Sequence, residues 1–327
     1  MTKIESLSRA GYSTDEIVEH LLEAATRKRE EKAREMAEQE RLKMEAIHKA
    51  RSEAPKTTAA AVTLPDGKRG HYLLPLLVAA MKAGVNVALV GPAGSGKTTA
   101  AAMAAEVLGM GFEAVSFGPT TSKSDLFGMR DASGKYHDTG LVRSARDGKV
   151  FLGDELDAGH PGIVTGINMV LANGHFNTVD GMLSKHGGFR AVFGMNTYGR
   201  GRDRKYVGRN QLDAASLDRL FVVEWGYDWG LTASLSGVPD FPSPELNLAE
   251  GGLLSAADWF RRVYGVSRAV EALGLEVIVS PRAVIEGNKL FAAGVGRTHV
   301  EAGILWRGMD SATRTKIETW VLNHHES

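Results

Sequence analysis

The sequence predicts an α/β protein built on a parallel sheet of about five strands, and three observations carry that prediction. An apolar run passes into a glycine-bearing loop and then a helix across residues 85–99, VNVALVGPAGSGKTT. Short apolar segments recur between helical stretches at 113–117, 150–152, 190–195 and 220–224. Two of these segments run into isolated polar residues, the acids Asp154 and Glu155 in one case and Asn196 in the other. Ligands of such sheets bind beyond the carboxyl ends of the strands, so the residues that carry chemistry are expected along that edge.

Taken in order, residues 1–54 read as a charged helical extension. Leu7, Ile17, Val18, Leu21 and Leu22 suit a small helical cluster, with Ser13 or Thr14 as cap. Residues 26–51 are dense in Glu, Lys and Arg without Gly or Pro, as a long solvated helix would be. Residues 55–63 read as a linker, 64–229 as an α/β nucleotide-binding domain and 230–327 as a helical lid with C-terminal helices. An apolar helix over 72–83, ended by Gly84, delivers the chain into the first strand.

Gly91, Gly94, Gly96, Lys97 and Thr98 fit the spacing G-x-x-x-x-G-K-[ST], in which consecutive backbone N–H groups wrap a polyphosphate. The whole run Gly91, Pro92, Ala93, Gly94, Ser95, Gly96, Lys97, Thr98 and Thr99 is therefore the candidate nucleotide cradle. Lys97 is expected to reach the outer phosphates and Thr98 to ligate Mg²⁺. A helix over 97–108, stopped by Gly109, adds its N-terminal partial charge to the anion site.

Asp154 and Glu155, at the end of KVFLGDELDAG, suit the acidic half of such a site. The first acid holds Mg²⁺ and the second polarises the attacking water. Asp157 reads as a surface residue at a helix start and is assigned no role. Asn196 ends the strand FRAVFGMN, where a neutral amide reaches a phosphate or water without adding charge, or simply begins a turn. Arg219 precedes the last strand and is either a surface ion-pair partner or a finger offered to a neighbouring subunit's site.

The segments GPAGSGKTT, FLGDELDAG, MNTYGRGRDRKYVGRNQLDAASLDR and SPRAVIEG make the chain recognisable over about residues 64–293. It resembles the AAA+ ATPases, within them the MoxR-like group with a helix-2 insert, and most of all the CobS-type ATPase subunit of cobaltochelatase and its relatives. The resemblance implies an AAA+ P-loop NTPase core, a small α-helical lid, ATP and Mg²⁺ as ligands, and a homo-oligomeric, hexameric ring. It implies that Lys97 and Thr98 are the Walker A lysine and metal ligand, Asp154 the Walker B acid and metal ligand, Glu155 the catalytic glutamate and Asn196 sensor 1. Arg219 is the arginine finger acting in trans, Arg282 is sensor 2, and Arg209 is a second candidate trans contact. Residues 125–146, with Gly134 and Lys135 at the turn, are similar to the helix-2 insert, and residues 177–189 to the hairpin before sensor 1. A chelatase-type partner would carry an integrin-like, von Willebrand factor A fold.

In the lid, residues 227–247 read as a connection, and 254–273 as an amphipathic helix capped by Ser255 with Trp259, Phe260, Val263 and Val270 on its apolar side. Helices follow at 282–293, 300–306 and 310–322, the last capped by Asp310 or Ser311; Trp306 and Trp320 are core anchors.

Composition bounds the function. With 327 residues and 43% hydrophobic content, the chain can build two modest domains or one large one plus an appendage. Zero formal net charge disfavours nucleic acid as a partner, and the lack of cysteine excludes disulfides, zinc fingers and thiol catalysis. No apolar run approaches the roughly 20 residues of a membrane span, and the N-terminus lacks a signal-peptide core, so a cytoplasmic protein is expected. The leading expectation is a ring ATPase that remodels a partner protein. The alternatives are an ATP-gated assembly scaffold with incidental hydrolysis and, disfavoured by charge, a DNA-directed ATPase.

Overall fold

A computed structural model describes residue 67 and residues 69–238 and 255–324, all within the unit formed by residues 59–327. The expected helical extension over 1–54 and the linker over 55–63 lie outside the described residues. Among the described residues there are eleven α-helices and a central five-stranded sheet.

The chain enters through α1 (Leu74–Lys82) and β1 (Val87–Val90), then α2 (Lys97–Val107), β2 (Phe112–Ser116) and the short α3 (Lys123–Phe127). A small antiparallel pair, β3 (Met129–Arg130) and β4 (Tyr136–His137), precedes α4 (Gly140–Asp147) and β5 (Val150–Asp154). Next come a 3₁₀ turn (Leu156–Ala158), α5 (Pro161–Ala172) and the hairpin β6 (His175–Thr178) and β7 (Gly181–Ser184). The core closes with β8 (Arg190–Met195), α6 (Ala214–Leu217) and β9 (Phe221–Glu224). The large sheet runs β2-β5-β8-β1-β9, every pair parallel, with Val90 level with both Met195 and Glu224 and Ser116 level with Asp154. The carboxyl ends of all five strands therefore share one edge.

The period-two alternation of strand side chains explains why the sheet is covered on both faces. Val87, Leu89, Val150, Leu152 and Val192 point into one core with Leu74, Leu77 and Met81 of α1 and the alanines of α2. Ala88, Val90, Phe151, Ala191 and Phe193 point into the other, with Leu141, Val142 and Ala145 of α4 and Val164, Ile167 and Val170 of α5. Alanines at 100, 101, 104 and 105 let α2 lie close against the strands, which keeps the loop before it pinned to the sheet edge.

A separate helical core gathers α8 (Ala256–Ala272), α9 (Pro281–Ala292), α10 (Arg297–Ile304) and α11 (Ser311–Asn323). Ser255 and Asp310 cap α8 and α11 as expected, each accepting a backbone N–H three residues on. Trp259, Phe260, Val263 and Val270 are all buried there, and so is Trp306, while Trp320 is half-buried.

The stretch read as an irregular connection contains one further helix, α7 (Trp229–Leu235). Asp228 caps it by accepting the Leu231 N–H at 2.7 Å, and Trp229 stacks edge-on to Phe260 and Tyr264 of α8. Glycine and serine masked this helix locally, and packing onto α8 supplies the stability its composition lacks.

Gly287 of α9 lies against the ring of Trp259, whose Nε1 donates to the Ala283 carbonyl at 3.1 Å. A Cβ at position 287 would fall 2.0 Å from that Nε1. Alanine gains about 1 kcal/mol of helix propensity over glycine, but overpacking a filled core costs about 1–3 kcal/mol. Gly287→Ala is therefore expected to lower the unfolding midpoint of the helical region in denaturant titrations; a raised midpoint would show that Trp259 has room to move.

Candidate functional site

The loop 91–96 connects β1 to α2 at the carboxyl edge of the sheet, and its backbone leaves little choice of residue. Gly94 and Gly96 adopt φ of 82° and 81°, the left-handed region that glycine enters at no steric cost. Gly91 has a different reason: a Cβ there would sit 1.8 Å from the Trp225 carbonyl oxygen, because the end of β9 presses on the loop. Three aromatic residues then hold the loop in shape. Trp225 Nε1 donates to the Ser95 carbonyl at 3.1 Å, Tyr227 Oη donates to the Ala93 carbonyl at 3.0 Å, and the Ala93 N–H donates to Tyr206 Oη at 2.9 Å. None of the three is visible as a site residue in the sequence, since each reaches the loop from more than 100 positions away.

One cleft is lined by Ala93, Gly94, Gly96, Lys97, Thr98, Thr99, Asp154, Glu155, Asn196 and Arg282. Lys97 is only 7% exposed, and its Nζ donates to the carbonyls of Gly91 at 2.8 Å and Pro92 at 3.0 Å and to Asn196 Oδ1 at 3.0 Å. Burial pushes its ammonium down to about 8 against the pull of the Asp154 and Asp157 carboxylates. Thr98 Oγ1 donates to Asp154 Oδ2 at 2.5 Å, and Asp154 Oδ1 accepts the Glu155 N–H at 3.0 Å. Gly194 on β8 makes room for that carboxylate, as a Cβ there would fall 2.2 Å from Asp154 Oδ1. Arg282 arrives from α9, whose preceding residue Ser280 packs against Gly94; a Cβ on Gly94 would meet Ser280 Oγ at 2.4 Å.

These residues fit a magnesium nucleotide. Thr98 and Asp154 offer two hard oxygens side by side, the donor type that Mg²⁺ selects. The glycine loop and the N-terminus of the eleven-residue α2 present backbone N–H groups to an anion. All three acceptors of the Lys97 ammonium are neutral oxygens, which leaves its charge to meet a phosphate.

Two expectations are corrected. Asp157 is not a surface residue: it is 0% exposed, and its Oδ2 accepts the Asn196 N–H at 3.1 Å, the Thr197 N–H at 2.8 Å and the Thr197 hydroxyl at 2.8 Å. Arg219 is not at the carboxyl edge. It precedes β9, so it lies at the amino edge of the sheet, exposed, with its guanidinium on the Ala215 carbonyl. About six residues of extended chain, on the order of 20 Å, separate that edge from the loop 91–96. Arg209, read as a contact to a neighbour, pairs within its own chain with Glu155 and Asp157, each at 3.3 Å.

Residues 86–220 match the family model of the AAA domain, dynein-related subfamily. With the five-stranded parallel sheet, this assigns the α/β region the AAA P-loop NTPase fold. No curated protein matches the chain. The crystal structure of NtrX from Brucella abortus aligns with 87% of this chain and 74% of that one at 15% sequence identity and a TM-score of 0.40. No helix among the described residues is long and apolar enough to cross a membrane.

Proposed function

We propose that this chain, on the premise of its AAA domain, is a ring-forming ATPase that couples hydrolysis to remodelling of a partner protein. The observation that carries this reading is the convergence of Lys97, Thr98, Asp154, Glu155, Asn196 and Arg282 on one cleft from four separate segments. Lys97 and the loop N–H groups bind the phosphates, Thr98 and Asp154 hold Mg²⁺, and Glu155 takes the proton of the attacking water. Bound Mg²⁺ supplies charge neutralisation at the phosphates. Asn196 orients water or the terminal phosphate, and Arg282 couples the lid to the nucleotide. Arg219, at the opposite edge from its own cleft, completes a neighbour's site, which makes the active unit a closed ring; a hexamer is the reading we favour.

The hairpin tips fit a surface that handles a partner. Arg130 of the first small pair bonds Asp180 in the turn of the second, which links the two, and Met129, Val179 and Met182 are exposed beside this contact. In this reading they face the ring's centre. The MoxR/CobS-like resemblance points to a chaperone- or chelatase-type motor whose partner carries a von Willebrand factor A fold. A shared site makes hydrolysis depend on assembly. Turnover per subunit is expected to rise steeply with protein concentration, in step with ring formation measured by mass photometry; a rate per subunit that stays constant from monomer to assembly would defeat the proposal.

A further inference from the structure

We infer that Arg209 is a positioning residue of its own chain's site, anchored by the buried Asp157 and holding the Glu155 carboxylate at the cleft. The inference rests on the ATPase reading above and adds to it a cis role for a residue that sequence comparison would hand to a neighbour.

The guanidinium is a fork used at both prongs: Nη1 donates to Asp157 Oδ1 and Nη2 to Glu155 Oε1, each at 3.3 Å. The side chains of Arg209 and Asp157 are 12% and 0% exposed, whereas that of Glu155 is 46% exposed and borders the cleft. A buried ion pair is weak as a stabiliser, since packed apolar side chains of equal volume often do as well or better. What this pair adds is a rigid arm that ends on the exposed acid. Glu155 is also the one non-glycine residue among those described with positive φ, at 57°. Such a conformation persists only where its surroundings enforce it.

The arm is tied to the nucleotide loop along two routes. Asp157 receives the backbone N–H of Asn196, whose Oδ1 accepts from Lys97 Nζ, so acid, amide and lysine are joined through hydrogen bonds. The loop that carries Arg209 is fastened on both sides. Tyr206 accepts from Ala93, and Asn210 donates its backbone N–H to the Asp157 carbonyl at 2.7 Å and its amide to the carbonyls of Ala158 and Gly159. Displacement of Lys97 or Asn196 by a phosphate is thereby felt at Glu155. A salt bridge between surface side chains would have neither the burial nor the backbone ties.

The test uses the assembled full chain. Arg209→Met is expected to reduce kcat on the order of 10²-fold, the effect of a misplaced reacting group, with the KM for ATP nearly unchanged. Arg209→Lys, which reaches one carboxylate at a time, should lie between the two. Because Arg209→Met strands the Asp157 charge, Asp157→Asn combined with Arg209→Met removes both charges; it should fold and stay slow. Subunit mixing then separates cis from trans. Rings of Arg209→Met with Glu155→Gln subunits contain no whole site if Arg209 acts in cis, so no activity returns. If it acts in trans, about a quarter of sites in a one-to-one mixture regain both groups. Mixing Arg219→Ala with Glu155→Gln is the control, expected to regain activity. Failure of that control counts against the shared-site reading of Arg219 and leaves Arg209 to be judged by its own kcat. Recovery in the Arg209→Met mixture, or wild-type turnover in either Arg209→Met or the charge-free double variant, overturns the inference.

Discussion

Glu155→Gln is expected to bind ATP as the native chain does and to lose hydrolysis by about 10²–10⁴-fold, the usual worth of a positioned general base. Every group assigned to the nucleotide stays in place: the loop N–H groups, Lys97, Thr98 and the Asp154 carboxylate, which accepts the residue 155 N–H through the backbone and not the side chain. Glutamine keeps the volume and one acceptor oxygen, so contact with Arg209 survives in weakened form while the proton acceptor is lost. Phosphate release would be followed alongside binding of a fluorescent ATP analogue, with ring formation monitored in the same samples. Assembly should persist in ATP, because the trapped nucleotide is no longer consumed. Hydrolysis within a few-fold of the native rate would remove Glu155 from the catalytic role.

Arg219→Ala is expected to leave ATP affinity intact and to cut turnover by about 10³-fold or more, the range in which an arginine finger acts. The physical basis is placement. Arg219 lies exposed before β9, at the amino edge of the sheet, whereas its own cleft opens at the carboxyl edge beyond Val90, Asp154 and Met195. Its contact with the Ala215 carbonyl is a surface bond whose loss costs on the order of 1 kcal/mol. A thermal melt should therefore barely move while the rate collapses. Turnover at the wild-type level in fully assembled rings would sever the link between this residue and a neighbour's phosphate.

Both predictions involve residues that sequence reading singled out, but for different reasons. Asp154 and Glu155 were legible because an apolar strand ending in paired acids is a local pattern, and the structure puts them in the cleft with Lys97 and Thr98. Arg219 was singled out only through family resemblance; its local sequence left a surface ion pair open, and the structure places it exposed on the Ala215 carbonyl. The caps at Ser255 and Asp310 were legible because capping is settled within three residues. The helix Trp229–Leu235 was not, because its stability comes from Phe260 and Tyr264 across the helical core.

The α/β alternation, the glycine loop and the acids and amide at the strand ends could be read from residue order, since these depend on neighbours along the chain and on side-chain periods of 2 and 3.6 residues. Tertiary structure alone decided that Asp157 is buried, that Arg209 turns back onto Glu155 across 54 positions, and that Tyr206, Trp225 and Tyr227 brace the loop. A charged residue carries no local mark of its burial. Its partners lie on other strands and loops, and only the folded sheet edge brings them within hydrogen-bonding distance.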